Sequence, residues 1–135
     1  MRKCETLYVI DDDDIYRFIL GKTIEDSKLV DLVKMFSHGK EAIDFLDSAI
    51  SESRMLPEII LLDLTMPVMD GWEFLENYLL MKPRIGKKIH IYIVSSSINP
   101  ADFERAKNIS EVTDYIVKPV TKEKLIDLLR LFSEL

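Results

Sequence analysis

Leu7-Tyr8-Val9-Ile10 runs directly into Asp11-Asp12-Asp13-Asp14, four apolar residues followed by four carboxylates in an unbroken row. A short apolar run rich in β-branched and aromatic residues, with no polar alternation, reads as a strand buried on both faces. The carboxylates repel one another. Taken alone they read as a solvated acidic turn whose last members cap a helix. Outward from this stretch the same pattern repeats. Ile59-Ile60-Leu61-Leu62 is followed by Asp63, Ile91-Tyr92-Ile93-Val94 by Ser95-Ser96-Ser97, and Tyr115-Ile116-Val117 by Lys118-Pro119.

Between these runs lie helical patterns. Ile15, Phe18, Ile19 and Ile24 mark a helix entered from Asp13 or Asp14, and Ala42, Ile43, Phe45, Leu46, Ala49 and Ile50 mark a second. Residues 71–81 give a third, about 99–109 a fourth with Pro100 in its first turn, and Leu125, Ile126, Leu128, Leu129 and Phe132 a fifth. Leu29–Phe36 fills the remaining gap as a weaker strand near an edge. Five βα units in alternation predict an α/β fold of the flavodoxin-like, doubly wound (βα)5 type. Its parallel sheet would have strand order 2-1-3-4-5.

The 135 residues are one domain's worth, and residues 1–135 read as a single unit with no linker or repeat. The single cysteine, Cys4, cannot make an internal disulfide, which fits a reducing, cytoplasmic setting. No apolar run exceeds four residues, so no membrane-spanning segment or signal-peptide core is predicted. With 24 acids against 18 bases and a net charge of −6, nucleic acid is not an expected direct partner.

Open α/β sheets bind ligands at the carboxyl ends of their strands. There, strands 1, 3, 4 and 5 deliver Asp11 and Asp12, Asp63, Ser95 and Lys118 to one rim. Crowded carboxylates with oxygen-only donors suit a hard cation such as Mg²⁺ or Mn²⁺. A carboxylate beside such a cation, with a lysine and a hydroxyl, is the equipment for forming an aspartyl phosphate.

The runs Tyr8-Val9-Ile10-Asp11-Asp12-Asp13, Leu61-Leu62-Asp63-Leu64-Thr65-Met66-Pro67, Met69-Asp70-Gly71 and Tyr115-Ile116-Val117-Lys118-Pro119 resemble the receiver domain of bacterial two-component response regulators. The likeness covers about residues 5–134. It implies that Asp63 is the phosphoacceptor, taking phosphoryl from a sensor histidine kinase or a histidine phosphotransfer protein. By the same resemblance, Asp12 and Asp63 would bind Mg²⁺ directly, Asp11 mainly through water, and Thr65 through its backbone carbonyl. Ser95 would be the switch hydroxyl, Tyr115 the aromatic switch, and Lys118, before a cis Pro119, the partner of the phosphoryl group. A protein as yet unidentified would read helix 4, strand 5 and helix 5, about residues 99–134, with no output domain on the chain.

Some positions depart from the common pattern. Ser95 stands where Thr is more usual, Ser96 where Ala or Gly is, and Asp13 and Asp14 extend the acidic pair. Glu111-Val112-Thr113-Asp114 replaces a frequent Gly-Ala pair. Two rival readings are a receiver-fold adaptor that is never phosphorylated and a haloacid-dehalogenase-like phosphatase. The first would lack the acids or the lysine, and the second wants an acid where Thr65 stands. Trp72, His38, His90 and the basic loop Lys82, Arg84, Lys87 and Lys88 read as local packing or solvated surface. Met66, Pro67 and Met69 shape the loop after Asp63.

Overall fold

The computed structural model describes residues 3–52 and 55–135. Among them, five parallel strands form one sheet in the order 2-1-3-4-5, as the alternation predicts. The strands are β1 (Cys4–Ile10), β2 (Val30–Phe36), β3 (Ile59–Leu62), β4 (His90–Ser95) and β5 (Val112–Val117). The helices between and after them are α1 (Asp14–Ser27), α2 (Gly39–Ala49), α3 (Gly71–Met81), α4 (Pro100–Lys107) and α5 (Lys122–Ser133).

Alternate strand residues feed two cores. Tyr8, Ile10, Ile60, Leu62, Ile91 and Ile93 pack beneath α2, α3 and α4, while Leu7, Val9, Ile59, Leu61, Val94 and Ile116 pack beneath α1 and α5. Both faces of the central strands are therefore covered, which is why their sequences are continuously apolar. The edge strand β2 is largely open, and that explains its weaker pattern.

The residues that mark α1 do not all face the sheet. Ile15, Phe18 and Ile19 are 72, 73 and 56% exposed, whereas Leu20 and Ile24 are buried. Asp13, not the apolar count, sets the phase. Its carboxylate accepts the Tyr16 amide at 3.0 Å and starts the helix so that Leu20 and Ile24 face the sheet.

In the basic loop Lys82, Arg84 and Lys88 are exposed, as its composition suggests, and Lys87 is partly buried. Lys82 pairs with Glu111 and Arg84 with Asp47. Lys87 pairs with the buried Glu58, whose Oε1 also accepts the Glu5 and Thr6 amides at 2.9 Å each. His38 caps α2 through Nδ1, and buried His90 meets Phe132 edge-on at 5.5 Å. Trp72 is not confined to local packing, because the Arg105 guanidinium of α4 lies 4.4 Å from its ring centroid.

Candidate functional site

The site stands where β1, β3, β4 and β5 end. Each chain exit is pinned by a backbone hydrogen bond: the Asp11 amide to Phe36 O at 3.0 Å, Asp63 to Ile10 O at 2.9 Å, and Lys118 to Ser95 O at 2.9 Å. The parallel ladder thus aligns three candidate side chains without help from their own contacts.

Among the described residues, carboxylate oxygens of Asp11, Asp12 and Asp63 lie within 4.8 Å of one another. Asp11 and Asp63 are buried and Asp12 is exposed. The Lys118 ammonium enters this cluster, 2.7 Å from Asp11 Oδ2 and 3.6 Å from Asp63 Oδ2. Burial, reinforced by the Asp11 charge, pushes the Asp63 carboxyl up to about 6, against the pull of Lys118 and of the Leu64 amide. That amide donates to Asp63 Oδ1 at 2.9 Å. Contact with both acids outweighs burial at Lys118 and raises its pKa, so it remains a cation. Asp13 sits apart from the cluster. Its amide donates to Asp11 Oδ1 at 3.0 Å, and its side chain caps α1.

An all-oxygen set of three carboxylates against one ammonium fits a hard divalent cation. Thr65, two residues beyond Asp63, is exposed on the same loop. The loop then turns through Val68, a β-branched residue at φ 67°, in the left-handed region that such residues rarely occupy. It ends at Asp70, which forms a reciprocal capping box with Glu73 at the start of α3. Gly71 is needed for contact rather than for its dihedral angles. A Cβ there would lie 2.4 Å from the Asp63 carbonyl oxygen and 2.9 Å from Leu64 Cα. The Met69-Asp70-Gly71 run is therefore a cap followed by a close approach to the backbone of Asp63.

Ser95 is buried and its Oγ accepts the Ser97 amide at 3.2 Å. Ser97 carries the contact onward. Its Oγ donates to Asp102 of α4 at 2.5 Å, and its carbonyl accepts the Tyr115 hydroxyl at 2.9 Å. Tyr115 is half-buried and meets Phe103 of α4 edge-on at 4.6 Å. Ser96 is exposed. The Lys118–Pro119 peptide is cis, as the resemblance implies.

Sequence reasoning missed Tyr16, Arg17, Ser97 and Asp102. Tyr16 lies against Lys118, and Arg17 donates to the Asp11 carbonyl at 2.5 Å and pairs with Asp14. The signal for both was the cap, since the first turn after Asp13 sits at the rim by construction. Ser97 and Asp102 join a loop to a helix, and no sequence period marks that.

Residues 7–130 match the family described as the response regulator receiver domain. The structure superposes on the crystal structure of a two-component response regulator from Cytophaga hutchinsonii with a TM-score of 0.87. The two are 29% identical, and the match covers 98% of each chain. Over 119 residues the chain is 26% identical to a probable methanogenesis regulatory protein, FilR2, of Methanothrix harundinacea (strain 6Ac), covering 88% of this chain and 75% of that protein. Over 88 residues it is 34% identical to a protein-glutamate methylesterase/protein-glutamine glutaminase of Treponema pallidum (strain Nichols), covering 65% of this chain but 19% of the enzyme.

Proposed function

The chain belongs to the response regulator receiver domain family, and on that premise we propose that Asp63 is its phosphoacceptor, with Asp11, Asp12, Lys118 and Ser95 completing the site. The convergence of Asp11, Asp12, Asp63 and Lys118 at one rim carries this reading. A receiver of this family is a phosphorylation-dependent signalling switch. We take residues 1–135 as one such unit.

The donor we propose is the phosphohistidine of a sensor kinase or a phosphotransfer protein. An Asp63 carboxylate oxygen attacks phosphorus, an O–P bond forms as the N–P bond breaks, and the departing imidazole nitrogen keeps the electron pair and takes a proton from solvent. Asp11, Asp12 and Asp63, with the Thr65 carbonyl, are the groups that would hold Mg²⁺ or Mn²⁺. A divalent cation bound there supplies charge neutralisation to the carboxylates and the phosphoryl oxygens. Lys118, already between Asp11 and Asp63, is placed to pair with a phosphoryl oxygen. Ser95 offers a hydroxyl at the end of the adjacent strand. Output would pass through α4, β5 and α5 to a protein partner, with Tyr115 as part of the two-state element. The limited anchoring of α4, which buries only Ala106, supports that choice.

The test is labelling by a small phosphodonor such as acetyl phosphate. Wild-type protein is expected to take label in the presence of Mg²⁺ and to lose labelling in EDTA. Asp63→Asn takes none, and undiminished labelling of that variant refutes the assignment.

A further inference from the structure

Tyr16 has no part in the site as assigned so far, yet it touches the site's cation. The Asp13 cap accepts the Tyr16 amide and so fixes the first turn of α1. That turn brings the Tyr16 ring over the turn between β5 and α5. There the Lys118 ammonium lies 4.5 Å from the ring centroid, within the range of a cation–π contact. The far end of the ring is buried, with its hydroxyl facing the backbone of Val120, two residues beyond Lys118. Burial raises the hydroxyl's pKa, so the ring stays neutral and adds no anion to an already acidic rim.

We infer that Tyr16 is a positioning residue for Lys118, holding its ammonium and the turn that carries it at the phosphoryl-binding rim. The inference rests on the reading of Lys118 as the phosphoryl-pairing cation. Lysine is a flexible stem ending in a point charge, and its geometry is only as good as its contacts. Its other contacts are carboxylates. Asp63 loses its free carboxylate once it is phosphorylated, and Asp11 is shared with any bound cation. The ring face is the contact that neither event removes. In this account the extra Asp13 matters to the site through Tyr16, because it sets the turn on which the ring is presented.

The experiment uses the full chain with Tyr16→Leu and Tyr16→Phe. In metal-free, unphosphorylated wild type, the Lys118 side-chain methylene protons nearest the ammonium resonate upfield of those of the other lysines, because they lie over a ring face. That signature persists in Tyr16→Phe and vanishes in Tyr16→Leu. Phosphorylation by acetyl phosphate at saturating Mg²⁺ slows about 5- to 30-fold in Tyr16→Leu, and Tyr16→Phe restores most of the rate. The apparent Mg²⁺ affinity moves less than about twofold, since the carboxylates are untouched.

Unshifted Lys118 resonances in wild type, or wild-type labelling by Tyr16→Leu, overturn the inference. So does a parallel fall in Mg²⁺ affinity, which would locate the defect in the acids. The resonance is read without metal or phosphate, so it decides the role of Tyr16 separately. The phosphoacceptor reading fails if wild-type protein takes no label or if Asp63→Asn labels undiminished, and neither outcome moves the resonance.

Discussion

Replacing Asp63 by Asn stabilises the metal-free protein by an amount that depends on pH. Asp63 is 6% exposed, and its carboxyl is raised from the ordinary 3.8 to about 6, first by burial and then by the Asp11 charge. The folded state therefore holds this proton more tightly than the unfolded chain does. The resulting penalty is absent below about pH 3.8, grows between there and about 6, and is fully present above. A shift of about two units at about 1.4 kcal/mol each sets the penalty at up to about 3 kcal/mol near neutral pH. Asn keeps an oxygen for the Leu64 amide, now bonded at 2.9 Å, and carries no charge.

Urea unfolding in EDTA, followed by circular dichroism from pH 4 to pH 8, measures the difference. Asp63→Asn is expected to be more stable than wild type by about 2–3 kcal/mol at pH 7.5, with the gap closing toward pH 4. Mg²⁺ at a hundred times its Kd then adds about 2.7 kcal/mol to wild type and far less to the variant. A gap that is flat with pH, or of opposite sign, refutes the argument that Asp63 is held under electrostatic and desolvation stress. The same titration bears on the proposed metal site, and a second measurement follows from it. Mg²⁺ affinity falls as pH drops through about 6, because the proton and the cation compete for one carboxylate.

Three further outcomes follow from single contacts. Gly71→Ala forces a Cβ to within 2.4 Å of the Asp63 carbonyl, so thermal unfolding shows a loss of about 1–3 kcal/mol and labelling slows with it; a neutral alanine would show that α3 can shift freely. Phosphorylation of wild type is expected to change Trp72 emission; Ser97→Ala removes the 2.5 Å bond to Asp102, so that variant is expected to take label with the emission change lost. Trp72 reports on α4 through Arg105, and an emission change of wild-type size would show that α4 responds without Ser97. Glu58→Ala strips a carboxylate from Lys87 and from two backbone amides at the opposite end of the strands from the site. Chemical denaturation is expected to show a cost of about 3–5 kcal/mol, with phosphorylation of the folded fraction unaltered, and a cost below about 1 kcal/mol would reclassify this pair as surface-like.

Much of the site was legible because each candidate residue sits at or just past the end of a strand. A parallel sheet brings those exits to one rim whatever the helices do, so Asp11, Asp12, Asp63, Ser95 and Lys118 could be placed from order alone. Which side of α1 faces the sheet was not legible in the same way. Ile15, Phe18 and Ile19 do recur at helical spacing, but periodicity gives a stripe without saying which stripe faces inward. The Asp13 cap and the buried pair Leu20 and Ile24 decided that. The basic loop reads correctly as surface except at Lys87, whose pairing with buried Glu58 joins residues 29 apart in the chain and leaves no local signal.

Short apolar runs, each followed at once by a polar residue, determined by themselves the fold class and the rim where the acids meet, and narrowed the strand order to a few. Those are consequences of burial on two faces and of right-handed crossovers, which act on local pattern. Tertiary structure alone decided how the acids differ from one another. Asp63 and Asp11 are withdrawn from water while Asp12 is exposed. It also decided that Lys118 lies between two carboxylates and a ring, and that Ser97 ties Ser95 to α4. These depend on distance and desolvation between segments far apart in sequence, where the electrostatic energy of a charge is set by what the fold packs around it.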